Sequence, residues 1–206
     1  RYICKQGVSS HLHFDDLIRV MMNLMKRVEV KQKSPYFLVV VVIFVLDQIT
    51  KSWAVSGLNY SEPNDFLPFF NFTLLYNYGA AFSFLSDAGG WQRWFFASLA
   101  FAISILLVVW IIRLERTKKL ELSALTFVLG GALGNLYDRV LLGYVVDFID
   151  WFYPATQSCL PFFYARLELQ TCHWPAFNIA DACILIGVTA LLVDTFLSKD
   201  FSNQEQ

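Results

Sequence analysis

The chain reads as an all-α integral membrane protein, with four transmembrane helices and a small β-rich element on the outer side. Two observations predict this. First, 56% of the 206 residues are hydrophobic and only 16% are charged, whereas a soluble domain carries roughly a quarter charged residues. Second, the apolar excess gathers into four blocks rather than spreading along the chain. A small polytopic membrane protein accounts for both, and a soluble domain with a large core does not. A net charge of −1 and the lack of a basic stripe with interleaved aromatics give no case for nucleic acid as a partner.

Residues 1–34 are polar and read as an N-terminal extension. Asp15 to Met25 fits a short amphipathic helix, and fits equally well sequence upstream of a start at Met22 or Met25. No small-residue cleavage site follows the first apolar block, so nothing here resembles a cleaved signal peptide. The four spans fall within residues 35–198, and residues 199–206 form a polar tail.

Span one is expected over about 36–55. Its uninterrupted apolar run is shorter than the roughly 20 residues a spanning helix needs, so the helix must continue through Asp47 and Lys51. These two stand at i and i+4, share a face and can pair. Residues 56–92 form a turn-rich loop whose alternating aromatic stretches suggest short strands lying on the membrane surface. Span two, about 94–112, carries no charge, and the short turn Arg113 to Lys119 is basic. Span three, about 120–137, contains Gly130 and Gly134, a small-xxx-small pattern that lets another helix approach closely. An aromatic-rich loop leads to span four, about 176–197.

Orientation follows from Lys and Arg in the short flanks. Lys26, Arg27, Lys31 and Lys33, with Arg113, Arg116, Lys118 and Lys119, mark one side as cytoplasmic, with both termini inside. Lys51, Arg93, Arg139 and Arg166 are fewer and mark the outer side. Asp47, Asp138, Asp147 and Asp181 then converge toward the outer face. Charges beside hydrocarbon are expensive and usually functional.

Asp147, beyond span three, and Asp181, in the first turns of span four, are the candidate catalytic pair. Two close carboxylates tend to share one proton, so that one can activate a water while the other polarises a carbonyl. Asp181 stands inside an apolar span together with Asn178, whereas Asp150 and Asp194 read as helix-end groups facing headgroups or water. Other nucleophiles fare worse. There is no GxSxG or HExxH, and His11, His13 and His173 lie outside the spans. Of the four cysteines, Cys4, Cys159, Cys172 and Cys183, none are in CxxC spacing, and a zinc site on Cys172-His173 would want two further ligands. Cys159 and Cys172 share one loop and form a disulfide if that loop is extracytoplasmic, or remain thiols otherwise.

Five segments, in order, resemble the lipoprotein signal peptidase (signal peptidase II) family. They are DQITK (Asp47 to Lys51), NYGAAFS (Asn77 to Ser83), GGALGNLYDR (Gly130 to Arg139), GYVVDF (Gly143 to Phe148) and FNIAD (Phe177 to Asp181). The resemblance implies an aspartic endopeptidase of the bacterial inner membrane, with the β-rich element and active site on the periplasmic side. Its substrate is a prolipoprotein carrying a diacylglyceryl-modified cysteine, cleaved just before that residue, with membrane lipids as the other partner. It places the catalytic aspartates at Asp147 and Asp181, and lines the site with Asn77, Asn135, Arg139 and Asn178. Asp138 then supports Arg139, and Asp47 and Lys51 have a structural or substrate-positioning role. No metal or cofactor is implied, since water is the nucleophile. The aromatic loop around Asn77 is either a clamp over the substrate or an interfacial anchor.

Two features depart from the family pattern: the length of residues 1–34, and residues 151–173, which look like an insertion between the catalytic motifs. The rival from another class is a small proton-coupled transporter using membrane carboxylates as a relay. Against it, no inverted repeat is visible and the charges gather at one face. A third reading is a non-catalytic assembly subunit held by the Gly130/Gly134 face.

Overall fold

A computed structural model describes residues 32–79, 89–154 and 158–204. Four helices, α1 (Ser34–Gly57), α2 (Gln92–Arg113), α3 (Lys119–Leu141) and α4 (Ile179–Gln204), are joined by β1 (Pro63–Leu67), β2 (Phe70–Asn77), β3 (Val145–Pro154), β4 (Tyr164–Arg166) and β5 (Thr171–His173). All four helices are long and apolar enough to cross a membrane. Hydrocarbon offers no partner for backbone polar groups, so β-branched runs such as Val39 to Ile43 become helix here despite their strand preference.

The most enclosed helix is α3, which packs against the other three. Val40, Leu107, Ile111, Leu122, Leu125 and Leu129 form a core cluster where α1, α2 and α3 meet. At that end Lys33 is buried, and its ammonium donates to Ile112 O at 2.6 Å and Leu114 O at 2.5 Å. A cation on the last carbonyls of α2 satisfies them and opposes the helix dipole, tying the start of α1 to the end of α2.

At the opposite helix ends the five strands form one antiparallel sheet in the order β1-β2-β3-β5-β4. An all-α description therefore falls short. The strand signals in residues 56–92 account for only β1 and β2, and the second long loop supplies the other three strands. Ala54 of α1 packs with Leu74, Val146 and Phe148, which seats the sheet on the helix end. Reciprocal backbone bonds between Ile149 and Phe177, at 2.9 and 3.1 Å, then bring the chain from β3 to the start of α4.

The reading of one residue changes, and an alternative left open at another is decided. Asp150 is not a helix-end group facing headgroups or water: it lies on β3, fully buried, accepting from Thr73 Oγ1 at 2.6 Å and meeting His173 Nδ1 at 2.7 Å. Strand alternation turns it inward, where a carboxylate must find polar partners. Cys172 is bonded to Cys159, closing the loop ahead of β5, so it is unavailable as a zinc ligand. The amphipathic helix expected over Asp15 to Met25 and part of the aromatic loop after Asn77 (80–88) lie outside the described residues.

Candidate active site

Asp147 stands on β3, opposite Leu75 in register and almost fully buried. Its Oδ1 accepts from Asn178 Nδ2 at 2.7 Å and its Oδ2 from Asn77 Nδ2 at 3.2 Å. Asp181 stands in the first turn of α4, where the positive end of the helix dipole favours a carboxylate. Asn178 precedes that turn, and the two residues cap each other reciprocally: Asp181 N–H donates to Asn178 Oδ1 at 2.9 Å, and Asn178 N–H to Asp181 Oδ2 at 3.3 Å. Asn135 of α3 donates to Asp181 Oδ1 at 2.7 Å. Asn178 thus touches both carboxyl groups and, through its amide, also Asn135 Oδ1 at 3.2 Å.

Behind this pair sits a buried cation. Lys51 Nζ contacts Asp47 Oδ2 at 2.8 Å, Asp138 Oδ2 at 2.9 Å and Asn135 Oδ1 at 3.0 Å, one partner for each ammonium proton. An ammonium at this depth is tolerable only when fully paired. Each carboxylate of the group reaches on to the chain beside a candidate catalytic residue. Asp47 Oδ1 accepts from Ala180 N–H at 3.0 Å, next to Asp181, and Asp138 Oδ2 accepts from Val146 N–H at 3.3 Å, next to Asp147. Lys51 therefore braces both sides of the pair. Among the described residues no group of three or more His, Cys, Asp and Glu is placed to hold a metal ion.

Arg139 closes the site on another side. Its guanidinium donates to Asn135 O at 3.3 Å and to Gly79 O at 3.1 Å, so it links α3 to the chain just after β2. Helix approach depends on missing side chains. A Cβ on Gly130 would stand 2.8 Å from Ile43, one on Gly134 would stand 2.5 Å from Asp47 Oδ2, and one on Gly131 would collide with the Ala180 carbonyl. The small-residue face anticipated on span three thus receives α1, and Gly131 receives α4.

Burial, and after it the nearby Asp181 charge, pushes the Asp147 carboxyl well above the usual carboxylate range. The bonds from Asn77 and Asn178 oppose this because they favour the ionised form. A pair that keeps a proton on one of its members is equipped for acid–base work on water and a carbonyl.

All nine candidates, Asp47, Lys51, Asn77, Asn135, Asp138, Arg139, Asp147, Asn178 and Asp181, belong to this one hydrogen-bonded assembly. Sequence reading missed three contributors. Gln48 donates to Asp47 at 3.1 Å and to Asp138 at 3.0 Å. Arg93 caps α3 by donating to Arg139 O at 2.8 Å and Val140 O at 2.6 Å. The Val146 carbonyl accepts from Asn178 Nδ2 at 3.3 Å. Gln48 had a legible signal, a polar residue beside Asp47 in an apolar helix; backbone acceptors carry none.

The model of the family described as "Signal peptidase (SPase) II" matches residues 39–197. The lipoprotein signal peptidase of Cellvibrio japonicus is 48% identical over 171 residues, covering 83% of this chain and 91% of that one. That of Acinetobacter baumannii is 53% identical over 156 residues, covering 76% and 80%. A solved bacterial membrane enzyme superposes with a TM-score of 0.65 at 32% identity, covering 82% of this chain and 91% of that chain.

Proposed function

This chain belongs to the signal peptidase II family, and we propose that it cleaves lipoprotein precursors with Asp147 and Asp181 as a water-activating pair. The observation that carries this reading is the shared partner: Asn178 donates to both carboxyl groups at once, from its side-chain amide to Asp147 Oδ1 and from its backbone N–H to Asp181 Oδ2. In the resting site the pair holds one proton, kept on Asp147 by its burial and by the charge of Asp181.

Asp181, ionised, takes a proton from a water, and that water attacks the scissile carbonyl carbon. Asp147 donates its proton toward the carbonyl oxygen as the tetrahedral intermediate forms. Collapse breaks the C–N bond as the proton taken by Asp181 passes to the departing amine, and Asp147, now ionised, takes back a proton from a hydroxyl of the intermediate as the carbonyl re-forms, which restores the resting pair. The products are the signal peptide with a free carboxylate and the lipid-modified cysteine with a free amino group. Asn77, Asn135 and Asn178 fix the carboxyl groups, while Arg139 orders the entrance by holding Gly79.

The substrate proposed is a prolipoprotein whose cysteine carries a diacylglyceryl group. Its acyl chains and apolar signal segment stay in the bilayer, and the scissile bond reaches the polar site where the helices end. In the proposed topology both termini and the basic turn Arg113 to Lys119 are cytoplasmic in a bacterial inner membrane, and the site faces outward. The Cys159–Cys172 disulfide lies on the sheet side, where an oxidising compartment supports it. The transporter alternative is not favoured, because the buried charges sit at helix ends under a sheet.

Purified protein in detergent, given a diacylglyceryl-modified precursor and the same precursor unmodified, tests the substrate reading. Mass spectrometry of the products should place the cut directly before the modified cysteine, with the unmodified precursor intact. Equal cleavage of both, or a cut elsewhere, removes the lipid from the recognition scheme.

A further inference from the structure

Asp147 and Asp181 belong to two segments that part along β3 and meet again at the start of α4, with residues 151–173 looping out between them. At the neck of this loop Phe148 and Ile149 N–H both donate to Phe177 O, at 3.1 and 2.9 Å, and Phe177 N–H returns to Ile149 O at 3.1 Å. Further out, Phe152 pairs with His173 and the β3–β5 ladder begins. Between these two points the α4 side of the neck is one residue longer than the β3 side. It also contains Pro175, which has no N–H to donate. Trp174 N–H reaches Trp151 O at 2.7 Å, but a regular ladder cannot run through such a mismatch.

A buried side-chain pair stands in the gap. Asp150 Oδ1 and His173 Nδ1 are 2.7 Å apart, and both residues are fully buried. The pair is tied at both ends: Thr73 of β2 donates to Asp150 Oδ2 at 2.6 Å, and His173 Nε2 meets Thr171 Oγ1 at 2.8 Å. The His173 ring stacks against Phe152 at 5.5 Å and Tyr164 at 5.7 Å. A line of polar contacts therefore crosses β2, β3 and β5 under aromatic cover. Shielded from water and with no buried polar atom left without a partner, such a network is rigid.

Both members lie close along the chain to the candidate catalytic groups. Asp150 is three residues past Asp147 on β3. His173 is five residues before Asn178, which donates to both catalytic carboxyls. The proposed reaction gives neither residue a task. A pair serving the sheet alone could stand anywhere in it; this one spans the place where the route from Asp147 to Asp181 loses its regular backbone support.

We propose that Asp150 and His173 are positioning residues for the peptidase reaction, their bond clamping the neck of the 151–172 loop and so fixing the separation of Asp147 and Asp181. The proposal rests on the reading of those two aspartates as the catalytic pair. A loosened clamp lets the two carboxyls part and admits water. Both causes that push the Asp147 carboxyl up, burial and the Asp181 charge, then weaken. The other charged groups around Asp147 are Lys51 of α1 and Asp138 and Arg139 of α3, and substitution at His173 alters none of them.

The test is turnover of a diacylglyceryl-modified precursor by the full chain in detergent, with kcat and KM followed across pH and Tm measured alongside. His173→Phe keeps the ring stack and loses the clamp. Its kcat should fall on the order of tenfold or more with KM little changed, and the alkaline limb of kcat should move to lower pH. His173→Asn gives up the ring stack but keeps a donor for Asp150, and Asp150→Asn replaces the carboxyl but keeps an acceptor for His173. Both should leave kcat and its alkaline limb near the wild type, even where Tm falls. If His173→Phe does not fold with Asp150 left against an apolar ring, Asp150→Asn/His173→Phe removes that conflict and should show the same loss and shift. An unmoved limb in the folded clamp-free variant, a kcat that follows Tm through the series, or an equal shift in Asp150→Asn would overturn the proposal. An inactive wild type would overturn the catalytic reading and this one with it, whereas an active wild type matched by His173→Phe would overturn the clamp alone.

Discussion

Asn178 donates its side-chain amide to Asp147 at 2.7 Å while its own carbonyl oxygen accepts from Asp181 N–H at 2.9 Å. One side chain thereby sets the position of one candidate catalytic carboxyl relative to the other. In Asn178→Ala both contacts go, and a misplacement of about 1 Å is enough to cost on the order of a hundredfold in rate. The expected result is a fall in kcat of that size with KM little changed. A rise in KM alone would make Asn178 a substrate contact instead.

Lys51 carries the second expectation. Lys51→Met removes the only cation bonded to Asp47 and Asp138 among the described residues, and both carboxylates are buried. Stranding buried charge in this way costs about 3–5 kcal/mol. Thermal unfolding in detergent should show a large drop in Tm, and the double variant Lys51→Met/Asp47→Asn should recover part of it. No drop in the single variant would mean that the three contacts to Lys51 contribute little.

The pH dependence follows from Asp147. Its carboxyl titrates well above the usual range because of burial first and the Asp181 charge second. The pair therefore keeps its single proton to higher pH than ordinary carboxyls would allow, and activity should fall on the alkaline side as that proton leaves. The bond from Asn77 favours the ionised form, so Asn77→Ala raises the titration further. The alkaline limb of the kcat profile should move to higher pH in this variant, and a limb that moved lower would refute the assignment.

Helix packing gives a fourth. Gly131→Ala directs a methyl into the Ala180 carbonyl, backbone that cannot swing aside, in the turn that presents Asp181. Overpacking of this kind costs about 1–3 kcal/mol. Activity should fall along with Tm, whereas alanine at Gly57, whose nearest neighbour would be Trp53 Nε1 at 3.9 Å, should leave both nearly unchanged. Equal behaviour of the two variants would show that the α3–α4 approach does not set the site.

What the sequence revealed depended on how local the physics was. The four helices were legible because hydrocarbon permits no other use of such apolar runs. Asp181 and Asn178 were legible because polar residues inside an apolar span demand a reason. Asp150 was misread because its role depends on strand alternation and on His173, 23 residues away, and no local pattern reports that pairing. The sheet was half seen for the same reason: β3 and β5 pair only when the loop closes, and their aromatic runs read equally well as interfacial loop. Arg93 was noticed only as a flanking charge, since the carbonyls it caps belong to another helix.

The most direct test of the aspartate pair is turnover of a diacylglyceryl-modified precursor by wild type, Asp147→Asn and Asp181→Asn, compared at equal amounts of folded protein. Loss of an acid–base partner should lower kcat by about 10²–10⁴-fold in each variant, with Tm at or above the wild-type value because a buried carboxyl has become a neutral amide. Near wild-type turnover in either variant would remove that residue from the catalytic pair and contradict the mechanism.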